Sequence, residues 1–236
     1  MSRAKVELIP WDPNSPDHFT RLVDQRIKCG WASEQVPQWQ DYQRSGFKCI
    51  YWLVLSPDDP DREARLAKLV SEYPKEKDPI TDTADSIRAT PRTPTEALFH
   101  PVGHISLDVD SPAAACLNLP IPKDHVYWIK TLYVSFALQS SGIARAAMDL
   151  IESMATSEPL CAKTLMLDTV SKEDQLRKES IVVAQGKLPP TPTQAWYERR
   201  GYKLIHTENN FYGFPEKDQD GNPVIRRTVF LRRDLV

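Results

Sequence analysis

The sequence has few glycines and no long apolar run, and each shortage excludes a class of protein. Only 8 of its 236 residues are glycine, against 20 prolines, so we expect stiffened loops and no glycine-rich repeat. The longest apolar run, Cys49 to Leu55, is far shorter than the roughly 20 residues of a membrane-spanning helix. The first residues, MSRAKVELIPWD, lack the apolar stretch of a signal peptide. We therefore expect no membrane partner and a cytoplasmic location.

Cysteine is also scarce. The four cysteines, at positions 29, 49, 116 and 161, form no CxxC pair and no Cys/His spacing of the kind that binds zinc. We expect four unpaired thiols and no metal site.

Neither sign of charge dominates the chain. Thirty Lys and Arg residues stand against 32 Asp and Glu residues, which gives a formal net charge of −2. This balance gives no indication of a nucleic-acid partner. The 41% apolar content fits a globular protein, and we expect residues 1–236 to form a single domain.

The periodicity of apolar residues predicts a mixed α/β fold. The expected strands span residues 6–10, 47–55, 102–109, 125–134, 164–170, 202–207 and 226–231. The expected helices lie within residues 17–27, 34–44, 59–73, 139–155 and 191–200.

Residues 56–98 have a different composition, with many prolines and charges. We expect one helix there, capped by Asp59, and then a long surface insertion. A flexible loop is the favoured interpretation of this insertion, and a flap over a substrate site is the other.

The junction after the strand at 125–134 is the informative part of the sequence. Residues 139–144, QSSGIA, fit the pattern Q/R-x-x-G-x-G/A at the start of a helix. The first turn of a helix has backbone N–H groups without partners and carries partial positive charge, so it suits a phosphate group. A second motif, AWYERRGY, follows at residues 195–202, and a capping box at Thr191 to Gln194 is expected to start its helix.

The two motifs together resemble those of the GNAT acetyltransferase superfamily. The matching positions are Val134, Gln139, Gly142 and Ala144 in the first motif and Tyr197, Glu198, Arg199, Gly201 and Tyr202 in the second. Gly103-x-x-x-Leu107 is similar to the third strand of the family, and the resemblance covers residues 99–210. It implies a central, mostly antiparallel twisted sheet of six to seven strands, with a splayed pair of strands 4 and 5 and helices on both faces.

The resemblance also implies acetyl-CoA as co-substrate and assigns roles to particular residues. The implied cofactor-binding residues are Leu132, Tyr133, Val134, Gln139, Ser140, Ser141, Gly142, Ile143 and Ala144. A backbone N–H near Leu132 is implied to polarise the thioester carbonyl. Tyr197 is implied to be the general acid that protonates the leaving thiol.

Three features depart from the family pattern. Where relatives carry a glutamate base on the fourth strand, this chain has Trp128, and His104, Asp108, Asp124 and His125 are alternatives that the sequence does not rank. Ser135-Phe136 replaces a frequent proline. Pro190 stands where many relatives have asparagine.

Aromatic residues suggest an acceptor pocket. One group is Trp31, Trp39, Tyr42 and Phe47, and the other is Phe211, Tyr212 and Phe214. They predict either core packing or the walls of a pocket for an apolar or cationic amine. We expect an N-acetyltransferase for a small-molecule amine, acting as a monomer or homodimer. A protein acetyltransferase and a non-catalytic acyl-CoA-binding module are the alternatives.

Overall fold

The computed structural model describes residues 4–177, 191–213, 216–217 and 221–235. The chain forms two compact units. The first comprises Met1–Asp110 and Tyr127–Cys161, and the second comprises Ser111–Val126 and Ala162–Val236. That residues 1–236 act as one acetyltransferase domain stays a prediction.

The first unit is built on an antiparallel sheet of four long strands in the order β1-β2-β7-β8. Its strands are β1 (Val6–Pro10), β2 (Ile50–Leu55), β3 (Ile80–Thr81), β4 (Ser86–Ile87), β5 (Thr90–Pro91), β6 (Leu98–Phe99), β7 (Pro101–Asp108) and β8 (Val126–Val134). Its helices are α1 (Pro16–Cys29), α2 (Val36–Arg44), α3 (Arg62–Glu72) and α4 (Ile143–Thr156).

The buried face of α1 is largely polar, which the apolar periodicity did not predict. Ser15 caps the helix by accepting the N–H of His18, and Gly30 ends it in a left-handed conformation. Leu22 is fully buried, but Ile27, expected in the apolar stripe, is 61% exposed. The other buried residues, at positions 18, 21, 25 and 26, are all polar or charged. Each of these side chains makes at least one hydrogen bond inside the unit, so their burial is tolerated.

The hydrophobic core of the first unit contains residues of α1, α2 and the sheet. It includes Trp11, Leu22, Val36, Trp39 and Trp52. Every residue of β2 is buried, as expected of a strand between two neighbours in a sheet with both faces covered.

The segment 56–98 has secondary structure and hydrogen bonds of its own, and its role as a flexible insertion or a flap stays a prediction. Asp82, which is 1% exposed, accepts hydrogen bonds from Arg92 at 2.7 and 2.8 Å and from the Thr95 N–H at 3.0 Å. His18 Nε2 bonds to the Thr81 carbonyl at 2.8 Å. These polar bonds stabilise the segment together with buried apolar side chains such as Leu69 and Ile80.

The expected cap of the helix in this segment is wrong. Helix α3 has Asp61 at its N-cap, and the Asp61 carboxylate makes no capping bond but accepts a hydrogen bond from Arg65 at 3.2 Å. Asp59 is buried, accepts the Lys5 N–H at 2.7 Å and pairs with Arg65. The Asp59 carboxylate, which we predicted to cap the helix, instead forms an ion pair with the buried Arg65.

The second unit contains a three-stranded antiparallel group with β13 in the centre. Its elements are β9 (Thr164–Val170), α5 (Lys172–Gln175), α6 (Thr193–Arg199), β10 (Lys203–Asn209), β11 (Glu216–Lys217), β12 (Pro223–Val224) and β13 (Arg227–Asp234).

Helix α6 starts without the predicted capping box. Its N-cap residue is Pro192, which has no side-chain cap bond. The Thr193 N–H donates instead to Gln175 Oε1 at 2.6 Å, and Gln194 accepts the Lys172 N–H at 2.8 Å. The Gln175 side chain and the Lys172 backbone N–H thus form hydrogen bonds with the first two residues of α6.

The mixed α/β class is confirmed, with seven long strands and antiparallel pairing within each unit. The splayed pair of strands stays a prediction. Within the described part of the chain, no helix combines the length and the apolar character needed to cross a membrane.

Candidate cofactor site

Gly103 allows strands β7 and β8 to approach closely. It lies opposite Val134, and a Cβ atom on it would be 2.1 Å from the Tyr133 carbonyl oxygen. The next residue, Ser135, donates its N–H to the Val102 carbonyl at 2.9 Å. Only glycine fits here, so the sequence match at Gly103 has a steric cause.

A β-bulge interrupts β8 directly before the predicted cofactor strand. His104 pairs with Tyr133 and Ser106 pairs with Lys130. An advance of two residues along β7 therefore corresponds to three residues along β8. Thr131 has a φ of +55°, which is rare for a β-branched residue. A bulge releases backbone groups from the ladder, so those of Thr131 and Leu132 differ from the rest of the strand. The sequence gives no sign of this bulge.

Helix α4 begins at Ile143, three residues later than the predicted start at Ser140. Ser140 has a φ of +64° and Gly142 a φ of +88°, and neither value is compatible with a right-handed helix. A short 3₁₀ helix, Phe136–Leu138, precedes them. Residues 139–142 therefore form a turn, in which Gln139, Ser140 and Gly142 are exposed.

The N–H groups of this turn fit an anionic group. The first intrahelical bond runs from the Ala146 N–H to the Gly142 carbonyl at 3.0 Å. Across the described residues, no acceptor is found for the backbone N–H groups of residues 140–145. The helix dipole adds partial positive charge at the same place, and Arg145 is exposed beside it. The turn can therefore hold a pyrophosphate.

The predicted cofactor residues differ in the groups that they could offer a ligand. Ser141 donates its hydroxyl to the Leu138 carbonyl, so it is not the free hydroxyl donor that we expected. The Ile143 side chain is buried, and only its backbone can meet a ligand. Ala144 is half-buried.

The predicted strand residues are close to this turn in the chain. Leu132 is half-buried, while Tyr133 and Val134 are buried. Burial raises the pKa of the Tyr133 phenol, and its ring packs against His104 at 5.3 Å and Phe136 at 5.8 Å. Tyr133 can therefore offer a ligand its backbone rather than its side chain.

Two of the four candidate bases are buried in the first unit. His104 is fully buried, and burial, with the cations Arg26 and Lys48, lowers its pKa well below the usual range. Its Nδ1 bonds to Gln25 Oε1 at 2.9 Å. Asp108 pairs with Lys48 at 2.8 Å, and both are buried. These contacts assign both residues to the interior.

The other candidates are less enclosed. Asp124 and His125 are exposed immediately before β8. Trp128 is 1% exposed, and the Lys130 ammonium lies 5.2 Å from its ring centre. The structure ranks none of these residues as a base.

Tyr197 lies in the second unit, on α6. It is 6% exposed, and its ring contacts Trp196 at 5.0 Å and Tyr202 at 5.8 Å. The aromatic neighbours fix the orientation of the ring. Pro190 lies outside the described residues.

In the first aromatic group, Trp39 is buried and the other three residues are half-buried. Trp39 is 5% exposed, and the cations of Lys48 and Arg26 lie 4.7 and 5.5 Å from its ring centre. Tyr42 contacts Phe47 at 5.1 Å. Core packing is therefore confirmed for Trp39, and the pocket-wall interpretation of Trp31, Tyr42 and Phe47 stays a prediction.

The second aromatic group lies next to the carboxylate of Asp168, which the sequence patterns did not indicate. Tyr212 donates its hydroxyl to Asp168 Oδ2 at 2.5 Å. Asp168 lies on β9, in a stretch interpreted only as a buried strand, and 44 residues separate it from Tyr212. No local signal marks this pair. Phe214 lies outside the described residues.

No metal cluster is found in the parts of the chain that the structure describes, since no three His, Cys, Asp or Glu side chains group together there.

No protein-family model matches the sequence, and the curated proteins contain no match. Solved structures do match. Arabidopsis thaliana NAA60 in complex with a bisubstrate analogue has a TM-score of 0.52 and 12% identity, covering 98% of each chain. The same protein in complex with acetyl-CoA has a TM-score of 0.51 and 13% identity, covering 98% of this chain and 99% of the other.

At such low identity, these likenesses concern the fold. The fold that they share with the two units is the one that the motifs at 139–144 and 195–202 indicated from the sequence. This chain has the fold of the GNAT acetyltransferases.

Proposed function

We propose that this protein is an N-acetyltransferase that moves the acetyl group of acetyl-CoA to a primary amine of a small molecule. The observation that carries the proposal is the exposed turn at 139–142, followed by a helix whose first N–H groups have no acceptor in the described chain. A fold shared with a protein solved with acetyl-CoA makes that ligand the natural anion for the turn.

The residues of the first unit would hold the co-substrate along its length. The N–H groups from Ser140 to Arg145 would bind the pyrophosphate. The backbone of residues 132–134 would lie along the pantetheine arm. Acetyl-CoA supplies a thioester carbonyl, and the backbone N–H near the bulge at Thr131 would stabilise the negative charge that develops on that oxygen.

Tyr197 would supply a proton to the sulfur. A tyrosine has an ordinary pKa near 10 and a thiol near 8.5, so the phenol holds its proton at neutral pH and can donate it as the thiolate leaves.

The small-molecule acceptor is supported by Phe211 and Tyr212, since aromatic rings beside a carboxylate suit a compact amine. A protein acceptor is the alternative, and comparing short amines with lysine peptides as acceptors distinguishes the two. Binding of acetyl-CoA without turnover on either would indicate the non-catalytic module.

The experiment that tests the proposal is thermal unfolding with and without acetyl-CoA. A ligand at 100 times its dissociation constant adds about 2.7 kcal/mol, which should raise the midpoint by roughly 5–10 °C for a chain of this size. NAD and ATP should give no such rise.

A matched pair of variants locates the effect. Gly142→Ala should reduce the shift caused by acetyl-CoA, because alanine disfavours the φ of +88° in the turn. Gly30→Ala imposes a similar strain at φ +81° in open space and should leave the shift unchanged. Absence of any shift in the wild type at millimolar acetyl-CoA would refute the proposed function.

A further inference from the structure

The mechanism above leaves the amine without a binding group, and the second unit contains a suitable one. Asp168 is half-buried near the end of β9 and lies opposite Phe230 of β13. Tyr212, 39% exposed, donates its hydroxyl to Asp168 Oδ2 at 2.5 Å. A carboxylate therefore stands at a position that solvent reaches, with a phenol bonded to it.

Aromatic rings lie on the same face of the unit as this carboxylate. Phe211 packs edge-on against Phe230 at 5.0 Å and against Tyr212 at 4.8 Å. Directly opposite residues of neighbouring strands share a face of a sheet, so Asp168 and Phe230 are on the same face. Phe211 is half-buried and presents an apolar surface next to the charge.

The chemistry of the cluster matches one kind of ligand. A carboxylate attracts an ammonium group, and aromatic faces add a cation–π contribution. An ionised carboxylate has about four lone-pair positions, so accepting the Tyr212 hydroxyl still allows it to accept from an ammonium. Phenyl rings next to the carboxylate favour an apolar or aromatic group on the amine.

The cluster is also tied to the region of the proposed general acid. Four residues after Asp168, the Lys172 N–H bonds to Gln194, three residues before Tyr197. The carboxylate and the phenol of Tyr197 thus belong to segments joined at the end of β9, within one compact unit.

We propose that Asp168, with Tyr212 bonded to it, binds the ammonium group of the acceptor, and that Phe211 contacts the aromatic or apolar group attached to that ammonium. This inference rests on the proposed acetyltransferase function and specifies its acceptor as a primary amine with an apolar or aromatic substituent.

The test measures binding of 2-phenylethylamine to the complex of the protein with CoA, which cannot transfer an acetyl group. Isothermal titration of the wild type gives the dissociation constant of the amine, and 2-phenylethanol serves as the uncharged analogue. Asp168→Asn should weaken amine binding about 10- to 100-fold, the range expected when a charge-assisted hydrogen bond is lost. Binding of the alcohol should change by less than threefold or so, because it makes no ion pair.

Glu208→Gln is the matched control. Glu208 is also a half-buried carboxylate of the second unit and bonds to His206 at 3.2 Å, so its loss should leave amine binding unchanged. The affinity of each variant for CoA reports whether it is folded and should equal that of the wild type.

The outcomes separate the two hypotheses. If CoA fails to bind the wild type, the proposed function falls, and this inference falls with it. If CoA binds but Asp168→Asn and the wild type hold the amine equally, the inference alone is overturned. Failure of the wild type–CoA complex to prefer the amine over the alcohol also overturns it.

Discussion

Replacing Gly103 with alanine should displace β8, whose residues 132–134 are proposed to bind the cofactor. The added Cβ atom would lie 2.1 Å from the Tyr133 carbonyl oxygen and 3.0 Å from Val134 Cα. Carbon–oxygen contacts in sheets are about 3.3 Å or longer, so β8 must move by about 1 Å. Both obstructing atoms belong to the backbone, and no change of side-chain rotamer can relieve the contact.

The cost follows from the bonds that this movement breaks. The bond from the Ser135 N–H to the Val102 carbonyl is 2.9 Å long, and a 1 Å increase exceeds hydrogen-bonding distance. Overpacking costs about 1–3 kcal/mol, and each buried polar group left without a partner costs about 1–3 kcal/mol. We expect Gly103→Ala to lower the free energy of unfolding by about 2–5 kcal/mol.

Urea unfolding measures this loss, and titration with CoA measures the effect on the site. Gly30→Ala is the control, since nothing lies within 4 Å of its Cβ position and only the left-handed backbone opposes alanine, by about 1–2 kcal/mol. CoA should bind more weakly to Gly103→Ala than to Gly30→Ala. Equal stability and equal CoA affinity in the two variants would refute the steric reasoning.

Three further changes test other parts of the structure. Burial would raise the pKa of Asp82, but hydrogen bonds from Arg92 and Thr95 outweigh this effect and lower the pKa to about 2. Asp82→Asn should therefore lower the free energy of unfolding by about 2 kcal/mol at pH 7. Urea unfolding should show this deficit shrinking as pH falls from about 4 to 2, whereas a constant deficit would mean that charge is not involved. Lys48→Met leaves the buried Asp108 without its ammonium partner and should lower the free energy of unfolding by about 3–5 kcal/mol in the same assay. Adding Asp108→Leu to this variant should restore most of the lost stability. Tyr197→Phe should reduce turnover, measured by thiol release, far more than acetyl-CoA affinity, and an equal loss of both would contradict its role as general acid.

The sequence predicted most elements well where local signals agree with the tertiary structure. The expected strand at 6–10 coincides with β1 and that at 164–170 with β9. Gly103 and Gly142 were singled out by pattern, and each has a physical reason in the structure: a close approach of backbones at one and a positive φ at the other. The positive φ at Gly142 is a property of that residue, whereas the close approach at Gly103 involves Tyr133 of the neighbouring strand. Both restrict the position to glycine, so a sequence pattern can reveal them.

The predictions that were wrong or missing concern features that depend on partners distant in the chain. The caps assigned to Asp59 and Thr191 were wrong, because Asp59 accepts the N–H of Lys5, 54 residues away, and Gln175 accepts the Thr193 N–H. Either cap was plausible locally. Asp168 was overlooked for the same reason, since only the folded unit brings it to Tyr212.

Two residues of the region 131–144, which contains the predicted cofactor residues, have a left-handed backbone conformation although neither is glycine. Left-handed conformations usually fall to glycine, yet here Thr131 has φ +55° and Ser140 has φ +64°. Each such residue costs about 1–3 kcal/mol and persists only where its surroundings enforce it. At Thr131 the enforcing contacts include the bond from its hydroxyl to Ser106, 3.1 Å long.

The position of this strain supports a functional reason for it. Thr131 lies immediately before the strand residues proposed to follow the pantetheine arm, and Ser140 and Gly142 lie in the turn proposed to bind the pyrophosphate. A regular strand running directly into a helix would pair its N–H groups within the ladder and would leave none at the bulge for a thioester oxygen. In the proposed function, the strain would keep backbone donors available at both ends of the segment, which a ligand bound mainly through the backbone requires.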